Sequence, residues 1–74
     1  MKTFEQIFED FFQIVPIEET LAKKPNELNI DSIKLWEFIA ILEEEFQIEF
    51  EIEEITESKN FLQLKKVLGE KIAN

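Results

Sequence analysis

Between Asp31 and Phe46 the chain reads DSIKLWEFIAILEEEF, with no glycine, no proline and mostly good helix formers. This stretch predicts one long helix that starts at Asp31 or Ser32 and ends near Phe46 or Gln47. In a chain of 74 residues such a helix decides most of the fold, because its apolar side chains need other elements to cover them. Ile33, Trp36, Ile39, Ala40, Ile41 and Leu42 wrap widely around it, which predicts burial on more than one side. Glu43, Glu44 and Glu45 sit near its C-terminal end and oppose the helix dipole. Stability alone does not favour that arrangement; a partner accounts for it, and so does simple solvation.

The flanking segments supply the covering elements. From Thr3 to about Phe12, the residues Phe4, Ile7, Phe8, Phe11 and Phe12 form a helical stripe, with Glu5, Glu9 and Asp10 opposite. Thr3 and Gln6 have capping-box spacing, and Pro16 predicts an end near Ile14 or Val15. Residues 16–30 read as a long connection with a short helical turn around Glu18–Ala22, anchored by Leu21, Leu28 and Ile30. Ile48, Phe50 and Ile52 alternate with acids, a strand signal with no second strand to pair with, so a loop and a helical turn within Ile52–Glu57 are expected. Asn60 predicts the cap of a last helix whose buried face is Phe61, Leu64, Val67, Leu68 and Ile72. The expected fold is all-α, a small four-helix bundle of three main helices and one short one, with residues 1–74 as a single domain.

Charge and missing residue types narrow the function. Seventeen acidic against eight basic residues leave a net charge of −9, which repels nucleic acid and attracts partners with basic patches. With no cysteine there is no disulfide or thiolate metal site, and with no histidine the commonest general base and metal ligand are missing. The opening MKTFEQIFEDFF has acids within its apolar stretch and no cleavage site, so it does not read as a secretory signal. No apolar run approaches the length of a membrane span. A soluble, cytoplasmic, monomeric protein is expected. Glu49, Glu51, Glu53 and Glu54 lack the order of a calcium loop and read as solvated surface. An enzyme built on carboxylates and lysines would need a convergent set, and none is visible.

Asp31-Ser32 is the position with chemical promise. A serine in the first turn of a helix, at the exit of a long loop, has an exposed hydroxyl near free backbone N–H groups, which favour an anion. Those two residues alone read more simply as a helix cap.

The surrounding window adds more. From Asp31 to Phe46 the chain resembles, without a gap, the acyl and peptidyl carrier protein family, whose modification site reads D-S-L followed by x-x-V-E-L-V-x-A-L-E-E-E-F. Leu28 stands where that family has the Leu of its D-L-G-x-D-S lead-in, and the order of elements agrees over the whole chain. The resemblance implies that a phosphopantetheinyl transferase, using coenzyme A and magnesium, attaches phosphopantetheine to Ser32, whose arm then holds acyl groups as thioesters. It implies that Asp31 assists recognition by the transferase. It also implies that Ile33, Trp36, Glu37, Ala40, Glu43 and Glu44 meet partner enzymes with basic docking surfaces, such as acyl- or aminoacyl-loading enzymes and downstream synthases. The chain departs from the family pattern in four places. Asn29 replaces a Gly, Lys34 an acid or polar residue, Trp36 a small aliphatic residue and Ile41 an Ala. Trp36 is then either a contact anchor or a core residue. The eight phenylalanines argue against an interior able to enclose a long acyl chain. A non-catalytic carrier in a specialised pathway is therefore expected. An aminoacyl, peptidyl or D-alanyl carrier is the near alternative, and an unmodified acidic adaptor the distant one.

Overall fold

The computed structural model describes residues 1–73. Its elements are α1 (Phe4–Phe12), α2 (Glu18–Leu21), a 3-10 turn (Pro25–Leu28), α3 (Ser32–Phe46), α4 (Ile52–Thr56) and α5 (Phe61–Ala73). Three main helices, two short ones and the 3-10 turn make an all-α bundle, with no strand among the described residues.

Each main helix begins on a side-chain cap. Thr3 Oγ1 accepts from Gln6 N–H at 3.1 Å while Gln6 Oε1 accepts from Thr3 N–H at 2.8 Å, the reciprocal capping box expected at α1. Asp31 caps α3, and Asn60 Oδ1 accepts from Gln63 N–H at 2.9 Å to cap α5. The ends are set differently. α1 stops at Phe12, earlier than Pro16 alone predicts, because Gln13 turns left-handed (φ 60°) and its N–H returns to the Glu9 carbonyl. Gln47 ends α3 in the same way (φ 54°), with its N–H on the Glu43 carbonyl.

The core lies between α1, α3 and α5 and is largely aromatic. Phe4, Phe8, Phe11, Phe12, Phe38 and Phe61 form one network of ring contacts. Phe8–Phe61 and Phe12–Phe38 have centroids 5.0 Å apart, and Phe4–Phe38 5.5 Å edge to face. Ile7, Leu21, Ile30, Ile39, Leu42, Phe50, Ile55, Leu64 and Leu68 complete the buried set, with Phe11 and Phe12 half-buried at its edge.

Two expectations about burial change. α3 buries one side only: Phe38, Ile39 and Leu42 are inside with Leu35 half-covered, while Ile33, Trp36, Ala40 and Ile41 are exposed. The Phe38 ring packs against rings of α1 and α5, which fixes that side of α3 inward and leaves the opposite side facing out. Ile72 is also exposed, because α5 runs past the end of the core after Leu68. Leu21 and Ile30 anchor the long connection as expected, with Leu28 half-buried, and Pro25–Leu28 adds a 3-10 turn that the sequence pattern did not announce.

Candidate functional site

The approach to α3 is built by the connection before it. Pro25 starts the 3-10 turn, and Asn29 then takes a left-handed conformation, φ 60° and ψ 32°. Asparagine is the non-glycine residue most tolerant of that region, so the turn survives where the resemblance has a glycine. Ile30 N–H donates to the Pro25 carbonyl at 2.9 Å, and the Ile30 side chain is buried. This plug fixes where the next residue leaves the core.

Asp31 is the N-cap of α3. Its Oδ1 accepts from Lys34 N–H at 2.8 Å, and its carbonyl accepts from Leu35 N–H at 3.0 Å. Ser32 is therefore the first residue of α3, and it is exposed. None of these hydrogen bonds engages its hydroxyl, and the first N–H groups of the helix have no acceptor within the helix. Ser32 lines a groove of about 530 Å³ together with Lys24, Pro25, Ile30, Asp31, Leu35 and Lys59. Two lysines and one acid thus share a groove with an exposed serine on a chain whose net charge is −9. The arrangement suits a hydroxyl that bears an anion.

The other residues that sequence reasoning singled out fall on α3. Ile33, Trp36, Glu37, Ala40 and Glu44 share an exposed face, with Ile33 71% and Trp36 42% exposed, so Trp36 is no core residue. Glu43 does not join them as a free carboxylate. It is half-buried, and its Oε2 accepts from Phe50 N–H at 2.9 Å, which ties the end of α3 to the following loop. Glu45 similarly accepts from Lys2 N–H at 3.1 Å. Two of the three acids that oppose the helix dipole are therefore ties between segments, a role that their run in the sequence did not signal. Lys34 lies 3.9 Å from Glu37 and over the Phe11 ring at 5.4 Å, so an acid offsets its charge beside Ser32.

The perturbed acids lie away from this site. Glu5 is held below the usual carboxylate range, chiefly by its hydrogen bond with Lys65 and against a smaller effect of burial. Glu54 is lowered first by Lys71, 2.9 Å away, and then by the Glu51 N–H. Among the described residues no group of acids has the arrangement of a metal site, Glu49, Glu51, Glu53 and Glu54 included. No helix among them is long and apolar enough to cross a membrane.

The family described as the phosphopantetheine attachment site matches the chain over residues 2–68. No curated protein and no solved structure matches it. The groove fits the family's prosthetic group: its lysines suit a phosphodiester, and Pro25, Ile30 and Leu35 suit an alkyl chain. With the match running from α1 through α3 and into α5, the chain belongs to the phosphopantetheine-attachment family, the acyl and peptidyl carrier domains that bear a covalent phosphopantetheine.

Proposed function

We propose that Ser32 is the attachment point and that the protein carries acyl intermediates between separate enzymes of a specialised pathway. One observation carries this reading: Ser32 is an exposed serine in the first turn of the longest helix, placed by a buried plug at Ile30 and sharing a groove with two lysines. Once attached, phosphopantetheine supplies the thiol that holds the acyl group, which a chain without cysteine has no other means to provide.

The remaining work belongs to residues of this chain. Asp31 holds the first turn of α3 in place through the Lys34 N–H, so the Ser32 hydroxyl is presented in one position to the transferase. The anion gained there lies at the positive end of the helix dipole and beside Lys24 and Lys59. Ile33, Trp36 and Ala40 offer an apolar strip for partner enzymes, with Glu37 and Glu44 attracting basic surfaces around it. Asp31 and Glu43 also support this surface by holding backbone, each through one carboxylate oxygen.

The tightly filled aromatic interior favours cargo that stays outside the bundle, which speaks for a specialised carrier over one that encloses long fatty chains. The same feature suits an aminoacyl or peptidyl cargo. The test is the intact mass of the protein after incubation with coenzyme A, magnesium and a broad-specificity phosphopantetheinyl transferase. A gain of one phosphopantetheinyl group in the native protein and none in Ser32→Ala is expected. A folded native sample that gains nothing with several transferases would return the protein to the class of unmodified acidic adaptors.

A further inference from the structure

We infer that the groove beside Ser32 is a seat for the arm itself, in which Lys24 and Lys59 hold the phosphate end and the arm lies on Pro25, Ile30 and Leu35. This rests on Ser32 being the attachment point and goes beyond it, since an arm attached there could equally swing free in solvent.

Three observations lead to the seat. The first is where the walls come from. Lys24, Pro25, Asn26, Ile30 and Asp31 belong to the connection before α3, Ser32 and Leu35 to its first turns, and Lys59 to the segment between α4 and α5. Three stretches of chain thus border one open groove of about 530 Å³, within the usual range of ligand pockets (roughly 300–1,000 Å³).

The second is charge. All eight basic residues are lysines, set against seventeen acids. Among the described residues Lys2 pairs with Asp10, Lys34 with Glu37, Lys65 with Glu5 and Lys71 with Glu54. Neither lysine of the groove is in such a pair. Of the four lysines outside such pairs, Lys23, Lys24, Lys59 and Lys66, two sit on the groove that Ser32 lines, where Asp31 is the one acid of the lining. They suit a phosphodiester, which keeps a single negative charge at any pH the fold experiences.

The third is depth. Pro25 and Leu35 also line a dimple of about 20 Å³ with Ile55, Phe61 and Leu64. That is room for about one water molecule. A space that small does not admit the arm, so its alkyl and amide chain lies along the surface of the groove. The exposed face of α3 stays uncovered for partners, which then meet an arm parked beside it.

The experiment compares the isotopically labelled protein by NMR before and after modification, with intact mass confirming the attached group. In the modified protein the amides of Lys24, Asn26, Leu35 and Lys59 should shift, and the geminal methyls of the arm should show NOEs to Ile30 and Leu35. The double variant K24Q/K59Q should lose those NOEs while keeping the mass gain. K66Q, at an exposed lysine of α5 outside the groove, should keep both. All the substituted side chains are exposed, so the fold should persist, and matching helical circular dichroism checks it. A confirmed mass gain with shifts confined to residues 31–34 and no NOE to Ile30 or Leu35 overturns the seat and leaves the attachment intact. Contacts that appear only after acylation also overturn it, because the groove would then serve the cargo. A missing mass gain overturns the seat together with the attachment at Ser32.

Discussion

Asp31 and Ser32 are neighbours with separate duties. The Asp31 carboxylate is committed to the Lys34 N–H, so Asp31→Ala should cost about 1 kcal/mol of stability, the usual loss for an N-cap. In a domain this small that lowers the melting temperature by about 4–8 °C. Ser32→Ala removes a hydroxyl that none of the hydrogen bonds around the cap uses, so the melting temperature of the unmodified protein should move far less. Measuring both variants before modification separates the structural residue from the chemical one; a loss at Ser32→Ala as large as at Asp31→Ala would contradict the assignment. Asn29 was legible as a residue able to hold positive φ, and φ is 60° there. The cation pair on the groove was not legible. Lys24 and Lys59 are 35 positions apart in the numbering, and only the packing of two connections against the start of α3 brings them to one groove.

At the scale of the helix, α3 divides into a face for the core and an exposed face. Periodicity and the capping pattern at Thr3, Asp31 and Asn60 placed its two ends and the starts of its neighbours, because helix formers, caps and a missing glycine act locally, while the left-handed turn at Gln13 that ends α1 early was not signalled. Which side of α3 is buried is a tertiary question, and the dense apolar run from Leu35 to Leu42 offered more than one answer. The answer came from Phe38, whose ring meets those of Phe4, Phe8, Phe11, Phe12 and Phe61. Phe38→Ala should cost about 3–5 kcal/mol. Small domains have about 5–15 kcal/mol in total, so denaturant titration of this variant should show a large drop in the midpoint. On the outer face, Glu37→Lys and Glu44→Lys should slow modification by the transferase, and the deficit should widen as salt is lowered. Equal rates at low salt would remove this face as the docking surface. Glu43→Gln should behave differently: its carboxylate ties Phe50 N–H, so its effect should appear in melting temperature and depend little on salt in the kinetics.

Over the whole molecule, charge opposes compactness while a few ion pairs oppose that strain. A net charge of −9 on a chain this small is self-repelling, so added salt should raise the melting temperature at neutral pH. The Glu5–Lys65 pair acts the other way in pH. Glu5 titrates below its ordinary value near 4.5 in the folded protein. Its contribution is therefore complete above that value and is lost as pH falls through the lower, folded one. The pair is partly exposed, so the contribution is under about 1 kcal/mol. The advantage of the native protein over Glu5→Gln should accordingly hold at neutral pH and vanish in acid, and an advantage that grows on acidification would refute the pairing. The aromatic core carries a prediction about cargo: if the acyl tail stays outside the bundle, as proposed, thioester hydrolysis of loaded protein should vary little with chain length. Increasing protection of longer chains would show that the phenylalanine cluster opens. The chain's only tryptophan, with no tyrosine beside it, is Trp36, 42% exposed on the outer face of α3. The protein thus contains a single fluorophore at the place where partners are expected. Its emission should shift to the blue as water leaves the indole, reporting each encounter by colour without any added label.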